Sequence, residues 1–259
     1  MRGTANLKAL RAYNRSWRKF FRQVPLRVKL KALLLYLPDL LWWARNFRGA
    51  PIRLEEGQPF IDERTRHFID RLLDSTSVVF EYGSGSSTVY FAGRCARIYS
   101  VEHDRSWHGR VEEAIRNRGL KNSKIFLVES EGRNGDHSLG GAEEFISRQS
   151  RWRGFRFESY ARTIEQFPDD FFDVILVDGR VRPACIRLSK PKLKAGGFLI
   201  LDDSHRARYA QGADLLRTWE RTDCFGPSAF KRRFGGASFW TKPESAQGVS
   251  IDQSDDPPL

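Results

Sequence analysis

Apolar residues in this chain fall into short unbroken runs separated by longer stretches of helical period. Val78-Val79-Phe80, Ile98-Tyr99-Ser100-Val101, Ile125-Phe126-Leu127-Val128, the run between Asp173 and Asp178, and Gly197 to Leu201 are such runs. Runs of this length without polar alternation suit strands buried on both faces of a parallel sheet. Between them, Ile61 to Leu73, Val89 to Ala92, Trp107 to Arg118, Val181 to Leu193 (with Pro191 near its end) and Arg206 to Thr222 read as helices. Phe68, Ile69, Leu72 and Leu73 share one side of the first of these. Strands alternating with helices predict an α/β fold, a doubly wound, mostly parallel sheet with helices on both faces. Asp223 to Phe225 and Ala237 to Thr241 are the segments for a closing hairpin.

The N-terminal pattern differs. Over residues 5–24, Leu7, Leu10, Trp17, Phe20, Phe21 and Val24 recur at helical spacing among Lys and Arg, up to Pro25. Val28 to Phe47 is more apolar and is interrupted by Pro38 and several charges. Its uncharged runs fall short of the roughly 18–20 residues that span a bilayer, and it carries no small-residue cleavage site. Residues 1–50 thus predict a basic amphipathic helical extension, 51–242 the α/β domain and 243–259 a disordered polar tail.

The richest stretch is S-V-V-F-E-Y-G-S-G-S-S-T, Ser77 to Thr88. A strand leads into a glycine turn at Gly83 and Gly85, and Ser86, Ser87 and Thr88 offer hydroxyls to a helix start. Strand, turn and helix N-terminus together make a nucleotide cradle. A full dinucleotide fingerprint would place a third glycine where Thr88 stands. The stronger signal is Glu81, two residues before Gly83, followed by Glu102 at the end of the second strand. An acid at that distance can hold ribose hydroxyls. The plainer reading is that both acids cap helices.

E-Y-G-S-G-S-S-T followed by Y-S-V-E-H-D resembles class I S-adenosylmethionine-dependent methyltransferases. The resemblance continues in F-D-V-I-L-V-D-G (172–179) and L-K-A-G-G-F-L-I-L-D-D (193–203). It implies a Rossmann-like sheet whose last hairpin lies at an edge, and S-adenosylmethionine as cofactor. It assigns cofactor contacts to Glu81, Gly83, Ser84, Gly85, Thr88, Glu102, His103 and Asp178. Glu81 and the glycines would lie by the methionine part, Glu102 at the ribose and His103 near the adenine.

Acids also end the other strands, at Glu129, Asp178 and Asp202-Asp203. Methyl transfer from a sulfonium needs mainly orientation and removal of a proton from the acceptor. Asp178, Asp203 and His205 are the candidates for that work. Neighbouring strands lie about 4.8 Å apart, so Asp178, Asp202 and Asp203 could converge on a hard ion such as Mg²⁺. This pattern resembles cation-dependent O-methyltransferases of catechols and sugars, so the expected reaction is O-methylation of a small or glycan-like acceptor. The alternative without metal has these acids capping helices. Where some sugar-modifying members carry a second acid, this chain has Arg180, and Arg180 and Arg182 could instead clamp an anionic acceptor. Residues 130–160, turn-rich and then basic and aromatic (R-Q-S-R-W-R-G-F-R-F), read as a substrate-side flap or as a plain surface loop.

Charge sharpens the division. The net charge is +12, but 12 of the 44 Lys and Arg and one of the 32 acids, Asp39, lie in residues 1–50. The rest of the chain is therefore nearly neutral. The extension has three readings: docking on an anionic membrane surface through its basic and aromatic residues, packing or homo-oligomerisation, and nucleic-acid binding, which its aliphatic surface disfavours. Three scattered cysteines without C-x-x-C give no disulfide framework and fit a reducing, cytoplasmic setting, peripheral to the membrane if the first reading holds. Two other functional readings stay open. One is an NAD- or nucleotide-sugar-dependent enzyme on the same cradle. The other is a non-catalytic membrane or nucleic-acid adaptor.

Overall fold

In the computed structural model the apolar runs become seven strands of one sheet. The structure describes residues 54–133, 142–228 and 234–244 and, before them, residues 11, 13–15, 17–18, 21–22, 26–34 and 36–47. The expected tail from residue 245 onward and residues 134–141 of the expected flap lie outside the described residues.

The first two helices with defined bounds are α1 (Leu26–Leu34) and α2 (Tyr36–Asn46), followed by α3 (Glu63–Leu72). The alternating part is then β1 (Val78–Tyr82), α4 (Ser86–Ala92), β2 (Arg97–Glu102), α5 (Arg105–Asn117) and β3 (Ser123–Leu127). After an irregular stretch come α6 (Glu158–Arg162), β4 (Phe172–Val177), α7 (Arg182–Lys192) and β5 (Leu193–Asp202). A short α8 (Ala210–Asp214) leads to β6 (Glu220–Gly226) and β7 (Gly235–Thr241). The strand order is β3-β2-β1-β4-β5-β7-β6. β1 to β5 pair in parallel, and β7 is antiparallel to both β5 and β6.

Period-two alternation explains why these runs are apolar throughout. Phe80, Tyr82, Ile175, Val177, Leu199 and Leu201 face one layer with Ile186 and Leu188 of α7. Val79, Val174, Leu176 and Ile200 face the other layer, with Ile69 of α3 and Tyr90 and Phe91 of α4. Asp173 ties three strands together, accepting from the Val78 backbone (2.8 Å) and from Lys194 Nζ (2.7 Å).

Two expectations need correction. Arg206 to Thr222 is not one helix: a turn at Ala207–Tyr209 and α8 give way to β6 at Glu220. Gly212 brings α8 close to α7. A Cβ there would lie 2.8 Å from Ile186 Cδ1 and 3.0 Å from Pro183 Cα, so α8 is pressed against α7. β1 runs on to Tyr82, so Glu81 lies inside the strand rather than at its end. The second N-terminal stretch forms two described helices, α1 and α2, and Pro38 stands near the start of α2, where a missing N–H costs no hydrogen bond.

The extension packs on the domain through its aromatic residues. Tyr13 and Trp43 are buried with Phe225 and Phe234 of the β6–β7 hairpin, and Trp17, Phe21 and Trp42 pack around them. Asp39 reaches Arg64 of α3 (2.8 and 2.5 Å), and Arg64 also donates to the Phe225 carbonyl (3.1 Å). Trp17, Phe21, Trp42 and Trp43, expected at a membrane surface, are therefore turned toward the domain.

Candidate functional site

The carboxyl ends of β1, β2 and β4 meet the turns that follow them around a cavity of ≈ 560 Å³. Gly83 and Gly179 form its floor. Gly83 has φ +93°, and a Cβ on it would meet the Gly179 backbone at 3.0 Å. A Cβ on Gly179 would collide with the Tyr160 hydroxyl and lie 3.1 Å from Gly83 N. Both turns therefore require glycine, which accounts for the D-G that follows β4.

Glu102 closes β2 as the sequence predicts. Its Oε1 accepts from the backbone N–H groups of His103 (2.7 Å) and Asp104 (2.9 Å). Among the described residues its Oε2 has only Ser84 Oγ, at 3.4 Å. Glu102 borders the cavity with this weakly partnered oxygen, as an acceptor for a ligand hydroxyl would. Trp107 lines the cavity beside it, with its indole N–H held by the Ser84 carbonyl (2.8 Å).

His103 lies between Glu102 and Arg180. Its Nδ1 is 2.7 Å from Glu102 Oε1, and its Nε2 accepts from Arg180 Nε at 3.0 Å. Arg180 also donates to Gln149 Oε1 and stands over the Trp152 ring. Burial pulls the Arg180 guanidinium below its ordinary value. No ion pair with a carboxylate holds Arg180 among the described residues. Arg182 is committed elsewhere. It donates to the carbonyls of Gly179, Asp202 and Asp178 and to Asp178 Oδ1 (2.5 Å), tying the ends of β4 and β5 together.

Of the residues expected to bind cofactor, Gly83, Ser84, Glu102, His103 and Asp178 line the cavity. Glu81, Gly85 and Thr88 stand behind it. Glu81 is fully buried and accepts from Ser87, from Thr88 (2.5 Å) and from Ser100 (2.8 Å). Thr88 in turn accepts from the Gly85 N–H (2.9 Å), which fixes the glycine turn. Burial raises the Glu81 carboxyl to about 7 despite these donors. Glu81 thus braces the turn.

The expected catalytic group is divided. Asp178 borders the cavity, with Oδ1 on Arg182. Asp203 and His205 do not line it. Asp203 pairs with Arg206 at 2.6 Å. Burial lowers the His205 imidazole from its ordinary value, with Asp203 opposing. The expected Mg²⁺ site on Asp178, Asp202 and Asp203 is not formed. Arg182 pairs with Asp178 and donates to the Asp202 carbonyl, Asp203 pairs with Arg206, and no three His, Cys, Asp or Glu side chains among the described residues are grouped to hold a metal ion. The residues present do not fit a cation.

Sequence reasoning missed Trp107, Gln149, Arg151 and Trp152, which all line the cavity. The last three come from the basic, aromatic stretch read as a flap. Its composition was the available signal, and its fold-back is held by isolated bridges, Arg133 to Phe155 and Ile146 to Arg156. Beyond Gln149 a groove of ≈ 180 Å³ opens between the flap, α7 and Tyr209. Gln149 donates toward the Gly179 carbonyl and the Tyr209 hydroxyl, both at 3.4 Å, and so divides groove from cavity.

No family model matches the sequence, and no curated protein matches it. Solved structures do resemble it. O-methyltransferase TomG from Streptomyces achromogenes, which is involved in tomaymycin synthesis and was solved with S-adenosylmethionine, superposes with a TM-score of 0.53 at 13% identity. The match covers 80% of this chain and 96% of that one. A Klebsiella pneumoniae protein assigned as an O-methyltransferase gives 0.52 at 15% identity over the same shares. The strand order, with its antiparallel β7 inserted between β5 and β6, also departs from the dinucleotide-binding order 3-2-1-4-5-6. The chain has the fold of the class I S-adenosylmethionine-dependent methyltransferases.

Proposed function

We propose that the chain is an S-adenosylmethionine-dependent methyltransferase acting on an oxygen of a small or glycan-like acceptor. The observation that carries this is Glu102, lining the cavity at the end of β2 with its Oε2 in only a long contact to Ser84 among the described residues, above a floor of two obligatory glycines. A ribose with two hydroxyls suits that oxygen, and the glycine floor suits the close approach of an amino-acid moiety. Trp107 and Trp152 offer flat apolar walls for a base.

When bound, the cofactor would supply an activated methyl group on a positive sulfur. The protein's own part is then to orient the acceptor and accept its proton. Asp178 is the carboxylate that borders the cavity at the end of β4, steered by Arg182 through one oxygen. Arg180, half-buried and without a carboxylate, favours an acceptor that brings an anionic group near its reacting hydroxyl. The groove past Gln149 has room for a small acceptor. Two of the structures it resembles are named as O-methyltransferases, one of them by assignment, which supports oxygen as the target.

Calorimetric titration with S-adenosylhomocysteine and with NAD tests the cofactor. Binding of the first and not the second is expected, and the reverse result would sink the reading. Labelled methyl donor with a panel of hydroxylated, anionic acceptors then tests the reaction. Cofactor binding without turnover on any of them would favour the adaptor.

A further inference from the structure

The two N-terminal helices bury aromatic residues and leave leucines outside. On α1, Leu26, Leu30, Leu33 and Leu34 recur at the spacing of one helical face, and on α2 Leu37 and Leu41 are one turn apart. All six are between 51% and 82% exposed. Scattered exposed leucines are ordinary, but six within sixteen residues are not.

The electrostatics of the segment say what such a surface suits. Residues 1–50 hold twelve Lys and Arg and a single acid, Asp39. Asp39 is 5% exposed and bonded to Arg64 of α3, so the outer surface of the extension presents no carboxylate. An exterior of leucine and positive charge has its complement in apolar chains beneath anionic headgroups. A second copy of the chain is the poorer match, because pairing these faces would bring two strongly positive segments together. α1 and α2 have 9 and 11 residues, against about 20 for a bilayer, and no helix among the described residues is long and apolar enough to cross.

We infer that the leucine faces of α1 and α2 seat the protein in the surface of an anionic bilayer, with the aromatic face fastening it to the β6–β7 hairpin. This does not rest on the proposed methyl transfer. It replaces the aromatic residues as the inserting groups, since Trp43 is buried and Trp17, Phe21 and Trp42 pack against it.

Vesicle flotation of the full chain tests it. Binding is expected to phosphatidylcholine vesicles containing phosphatidylglycerol, weaker binding to phosphatidylcholine alone, and release as salt rises from about 0.1 to about 1 M. The uncharged pair Leu30→Gln/Leu34→Gln should lower partitioning by roughly tenfold per leucine, with an unchanged melting curve because both side chains are exposed. Three results would overturn the inference: no binding to anionic vesicles, equal binding by the double variant, or a dimer in sedimentation that the variant dissociates without any flotation of the parent chain.

Discussion

Arg180 Nε donates to His103 Nε2 across 3.0 Å, joining the end of β2 to the turn after β4. Because a guanidinium can only donate, Nε2 must accept, which leaves the ring proton on Nδ1, 2.7 Å from Glu102. The same guanidinium donates to Gln149 of the flap. Glu102, His103, Arg180 and Gln149 therefore form one chain of contacts from the end of β2 at the cavity to the groove beyond Gln149.

Arg180→Lys keeps the charge and loses the fork that reaches both partners. Charged hydrogen bonds contribute roughly 1.5–3 kcal/mol. The expected outcome is an acceptor KM raised about tenfold or more, with a smaller change in the Kd for S-adenosylhomocysteine. Steady-state kinetics beside calorimetry would check it. If the cofactor affinity falls as far as the acceptor's, Arg180 serves the carboxylate of the cofactor instead.

Glu102→Ala should weaken S-adenosylhomocysteine binding by about tenfold to a hundredfold, through loss of the bonds to two ribose hydroxyls. Alanine also frees the His103 and Asp104 N–H groups now held by Oε1. Glu102→Gln keeps an acceptor for them and should fall between the parent and the alanine variant. Titration of both variants decides the point; undiminished affinity in a folded Glu102→Ala protein would remove Glu102 from the cofactor site.

The sheet was legible because its strands are buried on both faces, so each reads as an unbroken apolar run. Glu102 and the Gly83 turn were legible because a strand end and a tight turn each leave a local mark. Glu81 was harder. An acid before a glycine looks the same whether it faces a ligand or three hydroxyls, and only burial separates the cases. The supposed metal site failed for a similar reason. Aspartates do end β4 and β5, but Arg182, four residues after Asp178, turns back to pair with it and to donate to the Asp202 carbonyl, while Asp203 pairs with Arg206. Trp152 and Gln149 reach the cavity only through the fold-back of a segment without regular structure, and no periodicity announces that.

Gly179→Ala tests how tightly the floor is built. Its Cβ would collide with the Tyr160 hydroxyl and stand 3.0 Å from Tyr160 Cζ. Overpacking of this kind costs about 1–3 kcal/mol, read as a lower urea midpoint. Tyr160→Phe removes the colliding oxygen, so the double variant should recover part of the loss. Strict additivity of the two changes would mean that the collision is relieved by backbone movement instead.

Glu81 makes stability depend on pH in a direction opposite to that of most acids. Burial holds its carboxyl near 7 in the folded chain, against an ordinary value of 4.5. Between these values the folded state keeps a proton that the unfolded chain has lost. Stability contributed by Glu81 is therefore complete below about pH 4.5 and declines as pH rises toward 7, with little further change above. The decline should be on the order of 1–3 kcal/mol. Glu81→Gln cannot ionise, and the hydroxyls of Ser87, Thr88 and Ser100 can turn to suit an amide. Urea unfolding from pH 5 to 8 should show a falling midpoint in the parent and a shallower fall in the variant. Asp62, raised to about 7 by burial at the start of α3, supplies the slope that remains. Parallel pH profiles for the two proteins would show that Glu81 is ionised throughout and held so by its three donors.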